Sequence, residues 1–359
     1  MATKKPLKES VESHAATAAR LQADAEIARL RSERDAIKAR YRAALAQIDA
    51  ERARADAVVG LAGVKAAPPV AASKKSGKRH SATMVVLLSD VHCEEFVDAA
   101  TVNRLNHYSL EICDERLAEL QRRFFQMLEH ERRLADITRV VIWLGGDFIT
   151  GAIHPDCVEV SQLAPMPACR WIGSRLRRFI DAVADNAESV IVATNSGNHG
   201  RATEKQRVAT EEANSYEHFL YELMASEERR KNVDWRVAQG HLNYVDLDGF
   251  VIRFCHGHAI RYSGGNYGVA LPATKAIAAW DTFQRADLTC FGHYHSFGWL
   301  RAGRYVSNGS VIGHSAYAVK IKAPWEAPCQ AGIVIDGKRR EVTKAFPIYC
   351  DGDLARLRA

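Results

Sequence analysis

The chain has 359 residues, 47% of them hydrophobic and 26% charged, a balance that supports a sizeable core and excludes wholesale disorder, a collagenous repeat and a disulfide miniprotein. The net charge of +6 is local: residues 1–80 hold 17 Lys and Arg against 9 Asp and Glu, and the remainder holds 32 against 34. The larger part therefore lacks the bulk basic signature of a nucleic-acid-binding domain, which leaves room only for a local basic groove.

The N-terminus, MATKKPLKESVES, has no apolar core of the signal-peptide kind, and no run reaches the roughly 20 apolar residues of a membrane span. A cytoplasmic protein with no membrane partner is expected. From about Ser10 to Val58 the sequence has no Pro or Gly, and Ile27, Leu30, Arg34, Ile37, Tyr41, Ala44 and Ile48 follow a 3,4 spacing. That seam predicts a long helix forming a homo-oligomeric coiled coil over residues 10–58, interrupted at Arg34. Residues 59–82 combine a Pro-Pro pair, Gly, Ala and Ser with Lys74, Lys75, Lys78 and Arg79, and read as a flexible basic linker. The expected organisation is a helical segment at 1–58, this linker, and a catalytic domain at 83–359.

From Thr83 onward, short apolar runs alternate with amphipathic stretches. Residues 84–88, 139–144, 189–194, 250–255 and 287–292 read as buried strands, and 102–134, 170–186, 211–226 and 273–285 as helices. Strands are also expected at 332–336 and 342–348. The alternation predicts an α/β domain. Eight cysteines lie far apart with no C-x-x-C pair, so they are expected to be reduced and mostly buried.

In open α/β sheets, ligand sites form at the carboxyl ends of strands. Each apolar run here is followed by chemistry: Asp90 and His92, then Asp147, then Asn198 and His199, then His256 and His258, then His293 and His295. Asp, His and Asn donors without thiolate suit divalent Mn, Fe or Zn. A carboxylate can bridge two ions, so seven such side chains suffice for two metals sharing one Asp.

The motifs DVH, GGDFITG, SGNHGR, CHGH and GHYH, in this order across residues 90–295 and followed by SNGSVIG, resemble those of the calcineurin-like metallophosphoesterases. The resemblance implies a four-layer αββα sandwich of two mixed sheets around a dinuclear metal centre. It implies Asp90, His92, Asp147 and His295 on one ion and Asp147, Asn198, His256 and His293 on the other. Mn²⁺ is favoured, with Fe, Zn²⁺ or Ni²⁺ as alternatives. His199 corresponds to the family's catalytic histidine, and a water made acidic between the ions attacks phosphorus in line. In an H-G pattern the first His is the ligand, which places His258 beside the metals or toward substrate.

The protein serine/threonine phosphatase branch reads G-D-x-V-D-R-G and G-N-H-E, whereas this chain has GDFITG and GNHG. Both acidic positions are missing, which favours a phosphodiesterase or nuclease acting on DNA, RNA or nucleotides over a phosphomonoesterase such as a protein phosphatase or nucleotidase. A non-catalytic scaffold is the remaining alternative. The DNA-repair nuclease branch shares motifs and mechanism but carries a capping domain longer than the 64 residues that follow His295. Arg201 could clamp a phosphate oxygen. The loop at 151–171, with His154, is expected to form a wall of the site, and Arg261, Tyr262 and Tyr267 could meet a base or sugar. His107, His130, His218 and His241 have no motif context and are expected to be structural or exposed.

Overall fold

The computed structural model describes residues 7–62, 79–262, 268–300 and 303–352, and in the first helix the side chains of residue 17 and of residues 19–52. The chain divides into two units, residues 1–75 and 76–359. Helix α1, Leu7–Ala62, is the described part of the first unit, running four residues beyond the expected end at Val58. The seam residues Ile27, Leu30, Ile37, Tyr41 and Ile48 are all exposed. Most of the expected linker, including Lys74, Lys75 and Lys78, lies outside the described residues.

The second unit begins with β1, Ser81–Leu88, then α2, Leu110–Arg132, β2, Asp136–Leu144, and the short α3, Pro155–Val160. It continues with α4, Pro165–Ala184, β3, Ser189–Thr194, and α5, Tyr216–Ser226. Next come β4, Val233–Arg236, β5, Asn243–Leu247, β6, Phe250–Cys255, α6, Ala270–Trp280, and β7, Leu288–Phe291. The last elements are β8, Gly298–Leu300, β9, Tyr305–Ser307, α7, Ala316–Ile321, β10, Cys329–Asp336, and β11, Glu341–Tyr349. The segment expected to be mostly strand thus also carries α7.

Two mixed sheets form, ordered β11-β10-β1-β2-β3-β4 and β5-β6-β7-β9-β8. Strands β1 to β4 run parallel, as do β6, β7 and β9, while β5, β8, β10 and β11 pair antiparallel with their neighbours. The period-2 alternation of strand side chains explains why β1 is apolar on both faces. Met84, Val86 and Leu88 pack with Leu120 and Phe124 of α2 and Ile172 and Leu176 of α4. Val85 and Leu87 pack the other way, with Val141 and Trp143, against Ile252, Phe254 and Leu288 of the second sheet. The outer face of that sheet is covered by Ala273 and Ile277 of α6. The unit is therefore the four-layer αββα sandwich: helices, sheet, sheet, helix. All eight cysteines are unpaired and buried.

Among the described residues, no helix is long and apolar enough to cross a membrane.

Candidate metal centre

Asp90 and His92 leave the end of β1, Asp147 follows β2, Asn198 and His199 follow β3, His256 follows β6, and His293 and His295 follow β7. The backbone places them unusually. Asp90, His92, Asp147, His293 and His295 all have positive φ, at 54°, 48°, 51°, 71° and 53°. Non-glycine residues in this left-handed region cost about 1–3 kcal/mol each and persist only where surrounding contacts impose them. Here the contacts are visible: Asp90 N–H donates to Gly146 O at 3.0 Å, and Val91 and His92 N–H both donate to Asp147 O, at 2.9 and 3.0 Å. Gly292 N–H donates to His256 O at 2.7 Å, so neighbouring strand ends stitch one another into tight turns. Side chains two residues apart converge through these turns.

The donors fall into overlapping groups whose ligand atoms lie within 4.8 Å of one another: Asp90, His92 and His295; His92, Asp147 and His199; Asp147, His256 and His293. His295 Nε2 is 3.4 Å from Asp90 Oδ1, and His256 Nε2 is 2.9 Å from Asp147 Oδ2. His256 Nδ1 lies 2.7 Å from Gly145 O, and His92 Nδ1 lies 3.2 Å from Thr150 Oγ1, so each ring has one nitrogen anchored and the other directed elsewhere. Metal-binding histidines are commonly oriented in this way. The buried Asn198 Oδ1 has no hydrogen-bond partner among the described residues. A buried acceptor left without a donor costs about 1–3 kcal/mol, a cost that coordination of a cation would remove. The residues present thus fit divalent-cation coordination, with Asp147 common to two of the three groups.

The electrostatics agree. Burial tends to raise the Asp147 carboxyl, but the positive charges of His256 and His199 overcome it and hold it well below the usual range. For Asp90, burial is likewise overcome, chiefly by the hydrogen bond and charge of His295. Burial works against the His256 imidazolium, yet the Asp147 carboxylate raises it to about 10. The proton held between these two groups is what a cation would replace. Burial and the charge of His256 push His293 down to about 3, and burial with His199 and His295 pushes His92 well below its usual value. Both are ready as neutral donors.

His199 is placed differently. Its backbone N–H donates to Asp147 Oδ1 at 2.8 Å, and its Nδ1 lies 3.0 Å from Thr150 O. Burial disfavours its charged form, but Asp147 and a contact with Cys157 raise it to about 9. Its ring sits edge-on to that of His92 with centroids 4.8 Å apart.

The residues expected to meet substrate divide. Arg201 spends its guanidinium on its own loop, donating to Asn198 O at 2.7 Å and to Thr203 O and Glu204 O at 3.1 Å each. It braces the turn that carries Asn198. His154 is exposed at the start of α3, and the 151–171 loop reaches His199 through Cys157 instead. Arg261 and Tyr262 are exposed, with the Tyr262 ring 6.4 Å from that of Tyr294, and Tyr267 lies outside the described residues. His258 bonds Glu211 at 2.9 Å, with its ring 5.5 Å from that of His256. His218, expected to be structural or exposed, is buried and lies 3.3 Å from Glu212.

Several site-building residues escaped the sequence reading. The fully buried Glu217 of α5 accepts backbone N–H bonds from Asp147 and Gly197 on Oε2, at 3.2 and 2.9 Å, and from Phe148 and Ile149 on Oε1, at 2.6 and 3.4 Å. One carboxylate thereby clamps the turn after β2 to the turn after β3. Burial and the charge of Asp147 raise it to about 7, against the pull of the N–H donors. A Cβ at Gly200 would lie 2.7 Å from Glu217 Cδ, and one at Gly197 would collide with the Asp147 carboxylate, so both positions need glycine for room. Ser89 Oγ bonds Asp90 Oδ2 and accepts from Asn308 Nδ2 at 2.9 Å, and Asn308 also donates to Gln330 Oε1 at 3.1 Å. This network ties Asp90 to the SNGS segment and β10.

No protein-family model matches the chain, and no curated protein matches it. Solved structures do. A structure of a novel archaeal phosphodiesterase is similar over 74% of this chain and 99% of its own, at 12% identity and a TM-score of 0.33. A predicted phosphoesterase from Streptococcus pneumoniae is similar over 74% of this chain and 98% of its own, at 13% identity and a TM-score of 0.29. Vps29 from Entamoeba histolytica complexed with zinc is similar over 75% of this chain and 99% of its own, at 12% identity and a TM-score of 0.28.

Proposed function

We propose that the chain is a dinuclear metallophosphoesterase of the calcineurin-like kind, acting on phosphodiesters such as a nucleic acid or nucleotide. The observation that carries this reading is the convergence of Asp and His side chains from the strand ends into three overlapping groups, Asp90–His92–His295, His92–Asp147–His199 and Asp147–His256–His293, beside the buried Asn198 Oδ1. Two bound divalent ions would supply an acidified water and take up charge on the phosphate oxygens.

The chain's own residues do the rest. Asp90, His92, Asp147 and His295 would hold one ion, and Asp147, Asn198, His256 and His293 the other. Glu217 and the Ser89–Asn308–Gln330 network keep the two aspartates in register. His199, held by Thr150 O and kept protonated by Asp147, donates a proton to the departing oxygen. Gly200 stands where the phosphatase branch has Glu, which supports a diester substrate. The exposed seam of α1 supports self-association through a coiled coil, with Leu30 and Ile37 central to it.

The test is to compare initial rates on bis-p-nitrophenyl phosphate and p-nitrophenyl phosphate, using metal-stripped protein supplied with Mn²⁺. Faster turnover of the diester is expected. Preference for the monoester would transfer the proposal to a phosphomonoesterase. No turnover of either, with two ions demonstrably bound, would count against the catalytic reading.

A further inference from the structure

A second group of metal-ligating side chains gathers away from Asp147. Glu211, His241 and His258 each offer a ligand atom within 4.8 Å of the others. They arrive from three separate places in the chain. Glu211 precedes the short turn at Glu212–Asn214. His241 stands just before β5 and His258 just after β6, and the antiparallel register pairs Asn243 with Phe254, so the two histidines leave the same end of that ribbon.

The geometry approaches a coordination sphere. His258 Nε2 is 2.9 Å from Glu211 Oε1, and His241 Nδ1 is 3.9 Å from Oε2. Donor atoms each about 2.0–2.2 Å from one tetrahedral ion lie about 3.3–3.6 Å apart, and the two separations bracket that range. Gln206 Nε2 donates to Glu211 Oε1 at 2.9 Å and so helps to orient the carboxylate.

An ordinary ion pair explains the group poorly. One imidazole suffices for one carboxylate, yet two rings stand beside it with centroids 5.2 Å apart. His258 Nε2 and His241 Nδ1 are the nitrogens turned toward Glu211, and the opposite nitrogens have no hydrogen-bond partner among the described residues. The His258 side chain is only 7% exposed, so water reaches it poorly. One cation between the two imidazoles and the carboxylate would account for the crowding.

We propose that Glu211, His241 and His258 form a third divalent-cation site, of the two-imidazole, one-carboxylate composition that suits Zn²⁺. It neighbours the strand-end centre, since the His258 ring lies 5.5 Å from that of His256 and 6.3 Å from that of His293, but it shares no side chain with it. It goes beyond the phosphoesterase reading and does not depend on it.

The full chain is stripped with chelator, equilibrated with Zn²⁺, desalted, and its metal content measured by mass spectrometry, with circular dichroism confirming the fold of each variant. Three zinc ions per chain are expected in the unmodified protein, two in Glu211→Gln, and one in Asp147→Asn. His241→Gln serves as the second variant and should also lose one ion. Zinc content unchanged from the unmodified protein in both Glu211→Gln and His241→Gln would overturn the site. A single ion that survives Asp147→Asn and is lost in Glu211→Gln would uphold this site while removing the dinuclear centre.

Discussion

His199 stands apart from the other strand-end imidazoles because its ring is held by a backbone carbonyl and its charge by Asp147. Its replacement by Gln should therefore lower turnover about 10²–10⁴-fold, the usual worth of a positioned proton donor, while Mn²⁺ content stays at the unmodified level. A parallel loss of metal would mark it as a ligand instead. Glu217 predicts a different outcome. In Glu217→Gln one acceptor oxygen becomes an NH₂ facing two backbone N–H groups, so urea denaturation should show a loss of about 2–4 kcal/mol. The strand-end donors were legible in the sequence because each follows an apolar run and falls in an ordered set of motifs. Glu217 was not, because its 70-residue separation from Asp147 is closed only by the packing of α5, and nothing local distinguishes it from a surface Glu. For Arg201 the sequence could not show that the guanidinium is engaged by the carbonyls of its own loop, which only the folded turn brings within reach.

Helix α1 and the sheets behave differently as elements. The exposed Leu30 and Ile37 make the self-association of α1 directly testable, and Leu30→Asp in the full chain should lower the sedimenting mass to that of one copy. An unmodified chain that already sediments as a monomer would remove the coiled coil. Within the second unit, the strands β1, β2, β3, β6 and β7 were readable because burial on both faces leaves unbroken apolar runs. The strands β4, β5, β8 and β9 were missed. They are three to five residues long, and sequences such as VDWR and GWL carry too few residues for a periodicity to register. The boundaries of α1 and β1 also differ from expectation by a few residues, as helix and strand ends commonly do.

For the whole molecule, the four-layer arrangement came from the family resemblance and not from the residue pattern, since alternating strands and helices do not say that two sheets will stack. The stacked sheets set the carboxyl ends of β1, β2, β3, β6 and β7 around one centre, so cations there should bind the folded chain and not the unfolded one. Saturation at about 100 times the dissociation constant would contribute about 2.7 kcal/mol, and Mn²⁺ should raise the melting temperature by several degrees, reversibly on adding chelator. The stabilisation should fade as pH falls, because protons compete for the imidazole and carboxylate donors; an Mn²⁺ effect independent of pH would argue against these ligands. The buried cysteines add a further consequence. Their thiols are shielded, and burial raises the pKa of Cys93 and Cys290 well above the ordinary range, so alkylation measures opening of the chain rather than surface chemistry. Cys157 lies on the six-residue α3 in contact with His199, and the others are spread through the sandwich. Counting labels by intact mass over time therefore separates local opening of α3, which adds one label, from global unfolding, which adds eight.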